Sequence, residues 1–267
     1  MSKRLIVAII LVPIGAGLIA VGGLPYALAA SLVLGLAAWE FDRLFRMTGL
    51  CPSRWLLIGG SAALVFSRYF LDLRDSAAVL SLLVLAAMAV HLVDFERGRD
   101  RAATDFGVTV AGLLYIGWIG AYLISLRQLP DGKWWVLTIL PAVWLADASA
   151  MVFGITWGKH ILAPRISPRK TWEGFAGGIL GATLFGALLG GLWGVVSHAI
   201  TPWVGGLSGL AIGLLSPLGD LGESMIKRQA SVKDSSQLIP GHGGVFDRID
   251  SWLWAGVIGY YLALVLH

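Results

Sequence analysis

An all-α, polytopic membrane bundle of about nine spans is the fold the sequence predicts, and three observations predict it. Apolar stretches of about 18 residues or more recur along the chain, each long enough to cross a hydrocarbon core of ~30 Å as a helix. Of the 267 residues, 57% are hydrophobic and only 13% are charged, against roughly a quarter charged in a soluble domain. The basic residues also cluster in a few breaks that fall on one side when the spans simply alternate.

The spans are expected at about 5–22, 24–40, 55–71, 76–94, 106–126, 134–156, 174–196, 203–222 and 250–266. The first follows Lys3 and Arg4 and lacks a small-residue cleavage site, so it reads as a retained signal anchor. Gly and Pro interrupt or flank the second and the eighth. Glycines such as Gly177, Gly178, Gly181, Gly186, Gly190, Gly191 and Gly194 lie inside spans and are expected to pack helices closely. Trp134, Trp135, Trp193 and Trp203 near span ends read as interface aromatics.

Charge sorting orients the bundle. Of the 20 Lys and Arg residues, 16 fall on the side of the N-terminus, and only four (Arg68, Arg74, Arg127 and Lys133) fall on the other. Basic residues favour the cytoplasmic side, so the expected arrangement is N-in and C-out, in the cell (inner) membrane. The net charge of +4 is then a topological excess rather than a sign of nucleic-acid binding. Cys51 is the one cysteine, which excludes an internal disulfide and a cysteine metal site. The chain is expected to be one membrane-embedded catalytic domain, with N-terminal spans in 1–130 and a catalytic core in 134–267.

Two of the cytoplasmic loops differ in kind from the rest. In 154–174, Lys159, His160, Arg165, Arg169 and Lys170 stand with Ser167, Thr171 and Glu173 on a Gly/Pro-shaped turn. Such donors suit phosphate oxygens, and they equally suit a loop that only sets orientation. In 216–250, Asp220, Glu223, Asp234, Asp247 and Asp250 accompany Lys227, Arg228, Lys233 and Arg248. If the eighth span continues as a helix, Asp220, Glu223, Ser224 and Lys227 share a face, and Asp247 and Asp250 are spaced i, i+3 at the start of the last span. Carboxylates from two adjoining helix ends are what Mg²⁺ takes, with waters and substrate phosphates completing its octahedron. The Pro240–Gly244 turn lets a backbone approach a ligand at Gly243 and Gly244. His242 within it is either a phosphate donor or an ordinary loop histidine. Asp147 lies inside the sixth span, where a carboxylate usually faces a polar cavity. Glu40, Asp42, His91 and Asp94 read as interface markers, with a place on the same cavity as the alternative.

The spacing Ser224-x-x-Lys227-Arg228-x₄-Lys233-Asp234, Pro240-Gly-His242-Gly243-Gly244-x-x-Asp247-Arg248-x-Asp250 resembles the signature of phosphatidate cytidylyltransferases (CDP-diacylglycerol synthases). The runs Asp147–Gly154, Gly158-Lys159 and Ser167-Pro-Arg169-Lys170-Thr171-Trp-Glu173-Gly174 resemble that family's second stretch. The chain departs from the pattern at Met151, Arg169 and Phe246, where the family often has Tyr, a smaller residue or Lys, and Leu or Met. No carboxylate or motif lysine is lost.

The resemblance implies transfer of a cytidylyl group from CTP to phosphatidic acid in the lipid bilayer, with Mg²⁺, and with a second metal or a monovalent cation compatible. It also suggests a homodimer. On this reading Asp220, Asp247, Asp250 and Asp147 hold metal, and Asp220, Lys227, Asp247 and Asp250 are catalytic. Lys227, Arg228, Lys233 and Arg248 hold the triphosphate. Lys159, Ser167, Arg169, Lys170, Thr171, Ser224, His242, Gly243 and Gly244 contact nucleotide or lipid phosphate. A CTP-dependent polyprenol-type lipid kinase shares these features but releases CDP. An ion-coupled transporter using Asp147, His91 and Glu40 leaves the carboxylate–cation loop unexplained. Asp220→Asn or Asp247→Asn is expected to abolish turnover while the protein stays folded, checked by activity alongside a thermal melt.

Overall fold

The structure is a computed structural model, and it describes residues 3–239, 241 and 243–266, with side chains from residue 9 onward. The described residues form eleven α-helices: α1 (Lys3–Val21), α2 (Gly23–Met47), α3 (Arg54–Phe70), α4 (Leu73–Glu96), α5 (Ala102–Gly112), α6 (Tyr122–Gln128), α7 (Gly132–Trp157), α8 (Trp172–Trp193), α9 (Pro202–Leu215), α10 (Pro217–Gln229) and α11 (Phe246–Leu266). A π-helical turn, Leu113–Trp118, follows α5 directly. Strands β1 (Ile161–Ala163) and β2 (Ser167–Thr171) pair antiparallel.

Among the described residues, seven helical stretches are long and apolar enough to cross a membrane: 23–47, 73–96, 102–128, 132–157, 172–193, 202–229 and 246–266. Of the other expected spans, α3 is a 17-residue helix, and Ile9–Val21 is a shorter apolar helix. The expected loop at 154–174 is partly a hairpin. The strand 167–171 ends on Thr171, whose hydroxyl accepts from the Gly174 amide and caps α8.

By internal contacts the chain divides into two units, residues 1–125 with 226–249, and residues 126–225 with 250–267. The segment 226–249 therefore groups with the N-terminal helices, although in sequence it lies within the C-terminal half. Helices α10 and α11 each run from one unit into the other.

In the first unit α2 packs along α3, and α3 along α4 and the π turn. Its core holds Leu34, Phe41, Leu44, Leu57, Leu64, Leu113 and Ile116. Phe246, a departure from the family pattern, is fully buried there against Phe41 and Tyr115. Arg68, sorted above with the outside charges, is no loop residue. It is buried in α3, 3.9 Å from the centre of the Trp118 ring and 4.6 Å from that of Tyr122, and its Nη1 donates to Ser125. Cation–π contact of this kind compensates the lost hydration of the guanidinium.

In the second unit α8 packs on both α7 and α9, and glycines set how close the helices come. A Cβ on Gly205 would lie 2.0 Å from the Gly186 carbonyl oxygen, and one on Gly209 would lie 1.9 Å from that of Ala182. Gly177 and Gly181 clear Phe153 and Ser149 of α7 in the same way. In lipid no hydrophobic force separates helix from tail, so close backbone packing must supply the association. Gly205→Val is expected to cost at least the ~1–3 kcal/mol of an overpacked core, read as a lowered melting midpoint in detergent. Gly191→Ala, whose nearest neighbour would be Pro202 at 3.7 Å, should leave the midpoint unchanged.

Candidate active site

Each unit carries its own polar cluster. In the second unit α10 begins at Pro217, and its first two turns present Asp220 and Glu223. Gly219 lets this end approach α11, since a Cβ there would lie 2.4 Å from the Asp250 carbonyl oxygen. The result is a carboxylate triad, Asp220, Glu223 and Asp250, with one oxygen from each lying within 4.8 Å of the others. Glu223 is fully buried and Asp250 nearly so. Lys170, from the end of β2, forms an ion pair with Asp220 Oδ2, while Ser224 Oγ lies 3.4 Å from Asp220 Oδ1.

Three carboxyl groups this close repel one another unless a cation or a proton intervenes. A divalent cation with hard oxygen preference matches this donor set, so the residues present fit Mg²⁺.

The triad is not the ligand set expected from the sequence. Glu223 joins it. Asp147 is exposed on α7 and is not among its members. Asp247 belongs to the other unit, one helical turn before Asp250 along α11.

In the first unit Asp247 is engaged on both oxygens. Oδ1 accepts from Lys227 Nζ at 2.5 Å. Oδ2 accepts from the Ser235 amide at 2.9 Å, the Ser235 hydroxyl at 2.7 Å and the Gly244 amide at 2.8 Å. Both side chains of the Asp247–Lys227 pair are at least nine-tenths buried. Beneath it lies Glu40, which sequence reasoning placed at an interface. Its carboxylate is 0% exposed. It accepts from the hydroxyls of Ser235 (3.0 Å) and Ser236 (2.5 Å) and from the amides of Val245 (3.0 Å) and Phe246 (2.6 Å). The last two amides open α11, where the helix dipole favours a negative charge.

The glycines of the 240–244 turn belong to this clamp. Gly243 is at φ +84°, and a Cβ there would lie 2.9 Å from Asp247 Oδ2. A Cβ on Gly244 would lie 2.0 Å from Ser235 Oγ and 2.5 Å from Glu40. The backbone approach expected of these glycines is thus made toward the protein's own carboxylates. Ile239 and Gly243 close the turn as a β-bridge. Pro240 and His242 lie outside the described residues.

The remaining candidates are peripheral. Arg169, Lys233 and Arg248 are exposed. Arg228, also exposed, donates to the Val232 carbonyl. Ser167 and Thr171 lie on β2, with Thr171 serving as the α8 cap. The Lys159 amide donates to Glu173, which also receives His160 Nδ1 at 2.6 Å. These contacts tie the hairpin to the first turn of α8.

Residues 2–266 match the cytidylyltransferase family. The chain belongs to that family. It is 32% identical to a phosphatidate cytidylyltransferase of Synechocystis sp., covering 99% of this chain and 97% of the relative. Similarity to enzymes of the same name is 34% in Brucella abortus, over 99% of this chain and 94% of the relative. In Pseudomonas aeruginosa it is 37%, over 94% and 92%. The resemblance first carried by two motifs thus extends over the whole length.

A signal for Glu40 was present in the sequence. The buried positions Leu34, Ala37, Ala38, Phe41 and Leu44 keep helical spacing past residue 40, so α2 runs on to Met47 and takes Glu40 inside. Replacing Glu40 by Gln turns one of its two acceptor oxygens into an amide donor that faces donors. About 1–3 kcal/mol is lost for each buried group left unsatisfied. Glu40→Gln should therefore speed hydrogen exchange at the Val245 and Phe246 amides by about tenfold or more and lower turnover. Ser236→Ala, which removes one donor of four, should do less in both measurements.

Proposed function

We propose that this protein is a phosphatidate cytidylyltransferase. It transfers the cytidylyl group of CTP to phosphatidic acid, giving CDP-diacylglycerol and pyrophosphate. The observation that carries the reading is the full-length similarity to several enzymes of that name. The acidic triad supports it, with a lysine at its rim.

A phosphate oxygen of the lipid attacks the α-phosphorus of CTP, forming one P–O bond as the bond to the β-phosphate bridge breaks. Pyrophosphate leaves with that electron pair. The attacking phosphate monoester has its second pKa near 6 and is ionised at neutral pH, so no general base is required. The obstacle is repulsion between two anions, and catalysis therefore rests on positioning and charge neutralisation.

Asp220, Glu223 and Asp250 would hold Mg²⁺, which when bound withdraws charge from phosphate oxygens and favours the leaving group. Lys170 neutralises Asp220 and is placed to meet a phosphate oxygen. In the other unit Asp247 holds Lys227 with its stem buried and its ammonium in a fixed direction. Its role here is to aim a cation, in place of the ligand role expected from sequence. Arg228, Lys233 and Arg248 are exposed cations suited to the outgoing pyrophosphate, and Ser167, Arg169 and Thr171 to the lipid or nucleotide phosphate. The excess of basic residues on one side supports a cytoplasmic site in the inner membrane, and the family resemblance supports a homodimer.

Purified protein in detergent, given CTP and phosphatidic acid, is expected to release pyrophosphate with Mg²⁺ and none with chelator. Release of CDP instead would replace this reading with a lipid kinase. Asp220→Asn, Glu223→Gln and Asp250→Asn should each lower turnover by about 10²-fold or more. Near-wild-type rates in the Glu223 variant would remove it from the metal set.

A further inference from the structure

We propose that the first unit carries a second anion site, an arginine-lined cleft that binds the phosphate of an anionic phospholipid headgroup. The cleft has a volume of about 690 Å³ and is lined by Arg46, Arg54, Arg97 and Arg99 together with Trp55 and Asp94. No part of the proposed reaction uses these residues. Asp42, which anchors one side of the cleft, and Glu40, which anchors the Asp247 clamp, are two positions apart on α2, about 200° around the helix. The two features therefore lie on different faces of that helix.

The arginines are built in rather than loosely displayed. Arg46 and Arg54 both place Nε on Asp42, at 2.8 and 2.7 Å, and the Asp42 side chain is 0% exposed. Arg46 Nη2 also donates to the Pro52 carbonyl. Arg99 is held by Asp105, itself 1% exposed, and by the Gly49 carbonyl. These buried carboxylates consume the Nε donors and fix the planes of the guanidinium groups. Both terminal nitrogens of Arg54 and the whole guanidinium of Arg97 have no hydrogen-bond partner among the described residues. Four guanidinium groups in a concave site, with donors to spare, match the planar fork geometry that phosphate oxygens accept.

The level of the cleft identifies the source of the phosphate. Arg46 is in the last turn of α2, Arg54 opens α3, Arg97 caps α4 and Arg99 precedes α5. Ends of membrane-crossing helices lie among headgroups. Trp55 beside the cleft is 82% exposed, as an interface aromatic is. Val93 and Phe95 on the adjoining turn of α4 are exposed apolar residues, suited to the acyl region below. A phosphate with chains beneath it fits this layout. A freely soluble anion makes no use of the apolar part.

Phosphatidylglycerol serves as probe because its phosphodiester has no monoester oxygen to act as the cytidylyl acceptor. Native mass spectrometry of the purified protein should show one retained phosphatidylglycerol per chain. Phosphatidylcholine should be retained at least tenfold less. The Arg54→Gln/Arg97→Gln double variant should bind phosphatidylglycerol at least about tenfold more weakly, with cytidylyl transfer within twofold of wild type. Arg97→Gln alone, which removes no side-chain hydrogen bond made among the described residues, should give a smaller loss in the same direction. Equal retention by the double variant and the wild type overturns the site. Equal binding of phosphatidylcholine overturns charge recognition, and equally tight binding of inorganic phosphate overturns the headgroup assignment.

Discussion

Burying a carboxylate in a protein that already resides in lipid leaves it no water to fall back on, so every lone pair must be met from within the chain. Glu40 is met by four donors, and all of them come from residues 235–246, roughly two hundred positions later. That single acceptor decides where the segment after α10 is laid down and where α11 begins. Because Ser235 donates to both Glu40 and Asp247, the direction of the Asp247 carboxylate depends on it. Because Asp247 holds Lys227, the lysine's direction does too. A chain of hydrogen bonds of this kind is costly when partly satisfied and rigid when complete.

The two polar clusters answer different electrostatic problems. Around Asp247 and Glu40 negative charge is met by hydroxyls, amides and one lysine. Around Asp220, Glu223 and Asp250 three carboxylates stand close together, a donor set of hard oxygens that a divalent cation fits. Helices α10 and α11 carry members of both clusters on successive turns.

Association of the helices rests on something simpler. Between α8 and α9 the backbones meet at Gly186, Gly205 and Gly209, where any side chain would overlap a carbonyl. The notably apolar composition of this region adds nothing to specificity in lipid. Small residues provide it, by letting dispersion contacts form between backbones.

The amino-acid sequence alone determined the membrane character, the approximate positions of the helices and the family. Each of these depends on local composition or on spacing along the chain. The hydropathy pattern needs only an 18-residue window, and the Ser224–Asp250 motif is read linearly. It also showed that carboxylates and cations concentrate in two segments, and the structure brings Lys170 of one to Asp220 of the other. What only the tertiary structure decided is which charges face one another. Glu223 joins the triad because Gly219 lets α10 close on α11. Asp247 turns to Lys227 because Ser235 and Gly244 occupy its other oxygen. Asp147, though it lies within a span, stays exposed on α7. Glu40 passed for an interface residue because its partners are so far away in sequence. Pairing between distant charges depends on how close the helices come, and a linear pattern carries no measure of that distance.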